Sequence, residues 1–285
     1  MNDDKILELE KIAADIRIGV IEAVHSAKSG HPGGALSSAD ILACLYFSEL
    51  NVDPTNPADP ERDRFVLSKG HSCPALYATL AEKGFFSKDE LKSFRRLGSI
   101  MQGHPDMKNI PGVDMSAGSL GQGISCACGM ALSAKIDKKD YRTYAIIGDG
   151  ESQEGQVWEA IMFAAHYKLD NLCLFVDNNG LQIDGKVKDV MNVMPYASKF
   201  KAFGWNVISV DGHNIKEILT ALDEARNTKG KPTAIIAKTV KGKGVSFMED
   251  KADWHGKAPN DEQYEKAISE LNEYKQKLVG GCENG

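Results

Sequence analysis

The segment that most constrains this chain is GDGESQEGQVWEAIMFAAHYKLDNLCLFVDNN, from Gly148 to Asn179. Its approach, YRTYAIIGDG, reads as a buried strand ending in a glycine turn. SQEGQVWEAIMFAAHYKL reads as a helix and NLCLFVDNN as a second buried strand. A crossover of this kind makes its two strands parallel and commonly adjacent. Their carboxyl ends then converge, which predicts that Asp149 and Asn179 meet. A carboxylate and an amide oxygen suit a hard divalent cation such as Mg²⁺, with Ca²⁺ or Mn²⁺ as alternatives. Backbone carbonyls, water and a phosphate would complete its shell. A helix opening directly after Gly150 would aim backbone N–H groups at an anion in the same place. Gly148 and Gly150 allow close backbone approach. GDG and NNG are each ordinary turns taken singly; their spacing across one crossover is what predicts a metal–diphosphate site.

The alternation continues along the chain. Residues 4–28 carry apolar side chains at helical spacing. SGHPGGALSSAD reads as a turn-rich loop, with Ser37 or Ser38 able to cap the following helix. RFVLS is a short strand leading into a loop and a helix, and SKDELKSFR reads as a further capped helix. GHPDMKNIPGVDMSAGSLGQGISCACGMALSAKI reads as a long loop, then a helix of small residues. KFKAFGWNVISVDG is a helix end followed by a strand, NIKEILTALDEARNTKG a helix with a glycine stop, KPTAIIAKTV a further strand, and DEQYEKAISELNEYKQKL a charged final helix. The expected class is α/β, a parallel sheet with helices on both faces. Such sheets bind ligands beyond the carboxyl ends of their strands. Glycines and histidines gather there: SKGHS, GDGES, VDNNG, VDGHN, KTVKGKG.

Composition narrows the functional classes. The net charge of −6 and the lack of a basic block argue against nucleic-acid or membrane-surface partners. No apolar run approaches the length of a membrane span, and the acidic start does not resemble a signal peptide, so a cytoplasmic location is expected. The six cysteines include no C-x-x-C pair. They read as buried free thiols of a reducing compartment.

The spacing from GDG to NN resembles the thiamine-diphosphate signature. SGHPGGALSSADILACLYF, FVLSKGHSCPALYATLAEKG, GHPD, SAGSLGQGISCACGMAL, GDGESQEGQVWEA, DNNGLQIDG, KTVKGKGVSFMED and WHGKAPN resemble the N-terminal part of transketolases. They occur in that family's order, over about residues 10–260. The resemblance implies a single thiamine-diphosphate-binding (PP) domain over residues 1–285, with the pyrimidine-binding (Pyr) and C-terminal domains absent. It implies Mg²⁺ on Asp149, Asn179 and the backbone carbonyl of Leu181, with Gly150 and Asn179 also meeting the diphosphate. Gly118, Ser119, Leu120 and Gly121 would lie against the thiamine; Ser119 stands where the family more often has proline. His31, His71, His104 and His255 would surround the reacting carbons, with His71 and His255 also touching the cofactor. Imidazoles suit that task, because they hydrogen-bond hydroxyls and exchange protons near neutral pH. Glu154 resembles the glutamate linking paired sites across a dimer, and Lys238 is the lysine expected at phosphate. Lys241 and Lys243 read as solvated charge, and His25, His166 and His213 match no functional position.

The implied activity is transfer of a two-carbon ketol unit between sugar phosphates. The glutamate that assists the cofactor's aminopyrimidine ring belongs to the Pyr domain in this family. The expectation is therefore a split enzyme whose C-terminal partner subunit carries the Pyr domain, in an α₂β₂ heterotetramer. A specialised enzyme, such as one of branched-pentose metabolism, shares these motifs. SGHPGG and WHG favour transketolase over deoxyxylulose-phosphate synthase and the pyruvate dehydrogenase first component. A non-catalytic regulatory paralogue would be expected to lose the metal ligands or the histidines. GSLGQG lacks the spacing of a nicotinamide-binding fingerprint.

Overall fold

The computed structural model describes residues 2–280. Strands β1 (Arg64–Leu67), β2 (Thr143–Gly148) and β3 (Leu172–Asn178) are followed by a two-residue-per-strand hairpin, β4 (Leu181–Gln182) and β5 (Gly185–Lys186). β6 (Asn206–Asp211) and β7 (Thr233–Lys238) complete the set. The main sheet is five-stranded and parallel, in the order β1-β2-β3-β7-β6. Helices α1 (Asp3–Ala27), α2 (Pro32–Leu36), α3 (Ala39–Cys44) and α4 (Cys73–Lys83) precede α5 (Gln122–Ile136) and α6 (Gly155–His166). α7 (Val187–Val190), α8 (Tyr196–Ala202), α9 (Ile215–Asn227) and α10 (Asp261–Gly280) follow.

The strands are apolar on both faces because both faces are covered. Tyr144, Ile146, Cys173, Phe175, Ile235 and Ala237 join the core formed with α1, α3, α4, α9 and α10. The alternate residues Ala145, Ile147, Leu174, Val176, Ala234 and Ile236 join a second core with α5, α6 and α8. This is the period-2 division that a parallel sheet between helical layers requires. Each fully buried Leu, Ile or Phe there contributes about 1.5–3 kcal/mol.

Local rules account for most boundaries. Asn2 caps α1 by accepting the Asp4 N–H, and Lys28 closes it in a left-handed conformation. Asn214 caps α9 by accepting the Glu217 N–H. Three expectations are corrected. SGHPGG is not all loop: Pro32 at the first helical position starts the short α2. Neither Ser37 nor Ser38 caps the next helix through its side chain; the Ser38 hydroxyl donates to the Gly34 carbonyl and that of Ser37 to Asp177. The segment after Ser87 is a 3₁₀ turn, Lys88–Ser93, rather than an α-helix.

Cys44, Cys73, Cys128 and Cys173 are buried, Cys126 is half-buried, and none of these forms a disulfide. Cys282 lies outside the described residues. No helix among the described residues is long and apolar enough to cross a membrane.

Candidate active site

The register of β2 on β3 sets Gly148 opposite Asp177, so the residues after the two strand ends lie side by side. Asp149 is 2 % exposed. One carboxylate oxygen accepts the Gly150 N–H at 2.8 Å, and the other accepts the Gly180 N–H from beyond the neighbouring strand. The expected convergence of Asp149 and Asn179 thus takes the form of a bond to Asp149 from the backbone N–H of Gly180, the residue after Asn179. The Asn179 amide is oriented by two bonds: its oxygen accepts the Leu181 N–H (3.1 Å) and its nitrogen donates to Asp177 (3.3 Å). Gly150 is closely packed: a Cβ there would sit 3.0 Å from that of Gln182, which would have to give way by a few tenths of an ångström.

α6 does not open directly after Gly150. A 3₁₀ turn, Glu151–Gln153, intervenes, and the helix starts at Gly155 after an extended Glu154. The cause is Glu151. Its buried carboxylate accepts the Gly148 N–H (3.0 Å) and the Gly121 N–H (2.9 Å) and a proton from the Ser68 hydroxyl. It thus ties together the ends of β1 and β2 and the loop Gly118–Gly121. In that loop Gly121 has a φ of 81°, which favours glycine. Leu120 lines the cavity, Ser119 and Gly118 are exposed, and a Cβ at Gly118 would lie 3.7 Å from the His104 ring.

These groups border a cavity of about 300 Å³ at the carboxyl edge of the sheet. Asp149, Asn179 and Leu181 line it together with Leu120, Glu154, His71 and His255. His31 completes a triangle with His71 and His255, the ring centroids lying 5.1–5.4 Å apart. His104 stands outside this triangle, beyond Gly118. All four imidazoles are held below their usual range, chiefly by burial. His31 falls to about 4 and His255 to about 3, with Arg95 and Lys241 respectively as the next causes. Burial and Lys69 lower His71, and burial and Arg95 lower His104. At neutral pH these rings are uncharged, each with one donor and one acceptor. The buried His31 Nδ1 has no partner within the described residues.

Two lysines missed by the sequence reading lie beneath the site. Lys69 is 1 % exposed and donates to Asp177 and to the Gly34 carbonyl (2.7 Å). Ser37 and Thr239 donate to the same Asp177 carboxylate. Burial works to raise that carboxyl, but Lys69 and the two hydroxyls hold it below the usual range. Lys241 is 2 % exposed, lines the cavity, and lies 2.9 Å from His255 Nδ1. Among the described residues it forms no salt bridge. Burial lowers it to about 8, while burial and the neighbouring Asp177 raise Asp149 to about 7. Lys238, by contrast, is exposed and borders a different cavity, beside His213 and Thr239. Lys241, read as solvated charge, is thus the buried lysine, and Lys238, expected at phosphate, is the exposed one. The available signals were a lysine wedged between a strand end and His71, and a carboxylate inside the apolar run LFVD.

His25 pairs with Asp261 and stacks on Tyr264, and His166 is exposed at the end of α6. Among the described residues no cluster of three or more His, Cys, Asp or Glu side chains can hold a metal ion. A single carboxylate with an amide and a carbonyl oxygen fits a cation only if a ligand brings further oxygens. The residues fit that demand. Asp149 is a buried carboxylate beside a second one, and Lys241 is a buried cation without a carboxylate partner among the described residues. A divalent cation and a polyanion together would satisfy both.

The chain matches the family model for the transketolase thiamine diphosphate binding domain over residues 9–277. It is 47% identical over 265 residues to the 6-deoxy-6-sulfo-D-fructose transketolase subunit SqwG of Clostridium sp. strain MSTE9, covering 93% of this chain and 96% of that one. It is 44% identical to an apulose-4-phosphate transketolase subunit of Phocaeicola vulgatus, covering 91% of this chain and 92% of that one. Human transketolase is also 44% identical, but the match covers 95% of this chain and only 43% of the human one. The transketolase structure from Leishmania mexicana superposes with a TM-score of 0.85 at 32% identity, over 96% of this chain and 45% of that one. The chain therefore belongs to the transketolase family and is its N-terminal, thiamine diphosphate-binding part.

Proposed function

We propose that this chain is one subunit of a two-subunit transketolase that moves a two-carbon ketol unit from a ketose phosphate to an aldose phosphate. The observation that carries this is the cavity itself. Its floor, with Asp149 and Asn179, and its histidine wall, His71 and His255 with His31 beside them, border one cavity, on a chain that spans nearly all of two relatives named as subunits. Asp149, Asn179 and the Leu181 carbonyl would hold Mg²⁺. Lys241 and Gly150 would meet the diphosphate, and Leu120 would pack on the thiamine. Thiamine diphosphate, when bound, would supply the carbanion chemistry of the transfer.

The protein's own part is binding, orientation and proton traffic. His31, His71, His104 and His255 would hydrogen-bond sugar hydroxyls and the developing alkoxide, and their depressed proton affinity keeps an acceptor nitrogen free at neutral pH. Glu154, exposed at the cavity mouth, suits a contact with a second copy of the site. The pyrimidine end of the cofactor would be held by a partner subunit carrying the Pyr domain, in an α₂β₂ assembly. The free buried thiols fit a cytoplasmic setting.

A specialised sugar substrate is the second reading. It is favoured by the names of the two subunit relatives, whose sugars differ from each other. The test is a two-substrate ketol-transfer assay with thiamine diphosphate and Mg²⁺, run on this chain alone and with the product of the neighbouring reading frame. Fructose 6-phosphate, 6-deoxy-6-sulfofructose and apulose 4-phosphate would be compared. Transfer only in the presence of the neighbour is expected. Full transfer by this chain alone would refute the two-subunit reading.

A further inference from the structure

His213 matched no functional position in the sequence, yet it sits at the end of a buried relay. Arg17 on α1 donates through both terminal nitrogens to Asp40 on α3, and the two side chains are 4 % and 8 % exposed. Asp40 in turn lies 2.7 Å from His213 Nδ1. On the far side of the ring, His213 Nε2 accepts the Val240 N–H at 2.8 Å. Nε2 is therefore the unprotonated nitrogen and Nδ1 carries the proton shared with Asp40. Asp40, anchored by Arg17, fixes both the tautomer and the rotation of the ring.

Val240 immediately precedes Lys241. The turn that carries them is held at three points: Thr239 donates to Asp177, the Gly242 N–H donates to the Gly33 carbonyl (2.9 Å), and Val240 is held by His213. The His213 loop is pressed on this turn. The Gly212 N–H donates to the Lys238 carbonyl at 2.8 Å, and a Cβ at Gly212 would fall 2.4 Å from the Thr239 methyl. His213 thus meets the backbone next to Lys241 from outside the cavity.

We propose that His213 is a positioning residue for the diphosphate site, with the Arg17–Asp40–His213 relay fixing the turn that presents Lys241 to the ligand. This rests on the reading that Lys241 meets the diphosphate. Two isosteric changes separate the halves of the ring. His213→Gln places an amide oxygen near Nε2 and keeps an acceptor for Val240. His213→Asn places its amide near Nδ1, keeps the contact with Asp40 and leaves Val240 without an acceptor.

The experiment measures affinity for thiamine diphosphate and for thiamine, with Mg²⁺, in the full chain with the neighbouring gene product present. The proteins are wild type, Lys241→Ala, His213→Gln, His213→Asn and the double variant Lys241→Ala/His213→Asn. Thermal unfolding is followed in parallel. His213→Asn is expected to weaken thiamine diphosphate roughly tenfold and thiamine hardly at all. His213→Gln should recover most of the loss, and the double variant should be no weaker than Lys241→Ala alone. Equal losses for Asn and Gln, or full additivity with Lys241→Ala, would overturn the relay and leave His213 a packing residue. No effect of Lys241→Ala on thiamine diphosphate would instead overturn the placement of the diphosphate, and the relay with it.

Discussion

The floor and the histidine wall of the cavity are built on opposite terms. On the floor the buried polar atoms bond within the chain: Asp149 to Gly150 and Gly180, Glu151 to Gly121, Gly148 and Ser68, Asp177 to Lys69, Ser37 and Thr239. At the wall, three imidazoles lean on one another, and His31 Nδ1 and the nearby Ser72 hydroxyl have no partner among the described residues. The floor's hydrogen bonds are closed within the chain, and what it leaves open is charge, at Asp149 and Lys241. The wall leaves open hydrogen-bonding atoms, at His31 and Ser72.

The sharpest test of this contrast is Asp149→Ala. It should abolish Mg²⁺-dependent thiamine diphosphate binding, read by calorimetry, and transfer activity with it. His31→Ala should do the reverse, lowering kcat/KM about 10²–10⁴-fold while cofactor affinity stays within about threefold. Loss of cofactor binding in His31→Ala would erase the distinction between floor and wall. A smaller effect is expected for Glu151→Gln. An amide cannot accept all three of its donors, so unfolding should come about 1–3 kcal/mol sooner in urea and cofactor affinity should fall with it.

The smallest effect is on pH dependence. The unfolded chain titrates its histidines near 6.5, whereas burial, helped by Lys241 for His255 and Arg95 for His31, holds these two at about 3 and about 4. Below about pH 6.5 the unfolded state takes up protons that the folded state refuses. The stability tied to these groups is therefore complete above that pH and is lost as pH falls towards 4. Urea titrations between about pH 4.5 and 7.5 should show a shallower acid limb for His255→Asn than for wild type, by under about 1 kcal/mol at pH 5 after solvent screening. An unchanged limb would mean that the triangle does not set the acid response.

The floor was more legible in the sequence than its supports. The GDG and NN ends of one crossover could be paired because parallel neighbours bring their carboxyl ends together, and β2 and β3 are neighbours. Lys241 could not be placed, since a lysine among glycines reads as solvated charge. Only the packing of the 239–242 turn against Gly33 and His213 buries it. The Glu151 carboxylate, folding back onto two strand ends, displaced the start of α6 in a way no helix propensity encodes. The short α2 was hidden by its glycines, whose low propensity is overridden by packing on α1 and α4.

The buried cysteines have a consequence for the lifetime of the molecule. Burial pushes the thiols of Cys73, Cys128 and Cys173 up to about 12, and Cys44 well above its usual value. Thiolate, the form that reacts, is scarce at these positions while the fold is closed. The rate at which they are alkylated or oxidised then becomes a clock for how often the core opens, set by conformational fluctuation rather than by the reagent's strength.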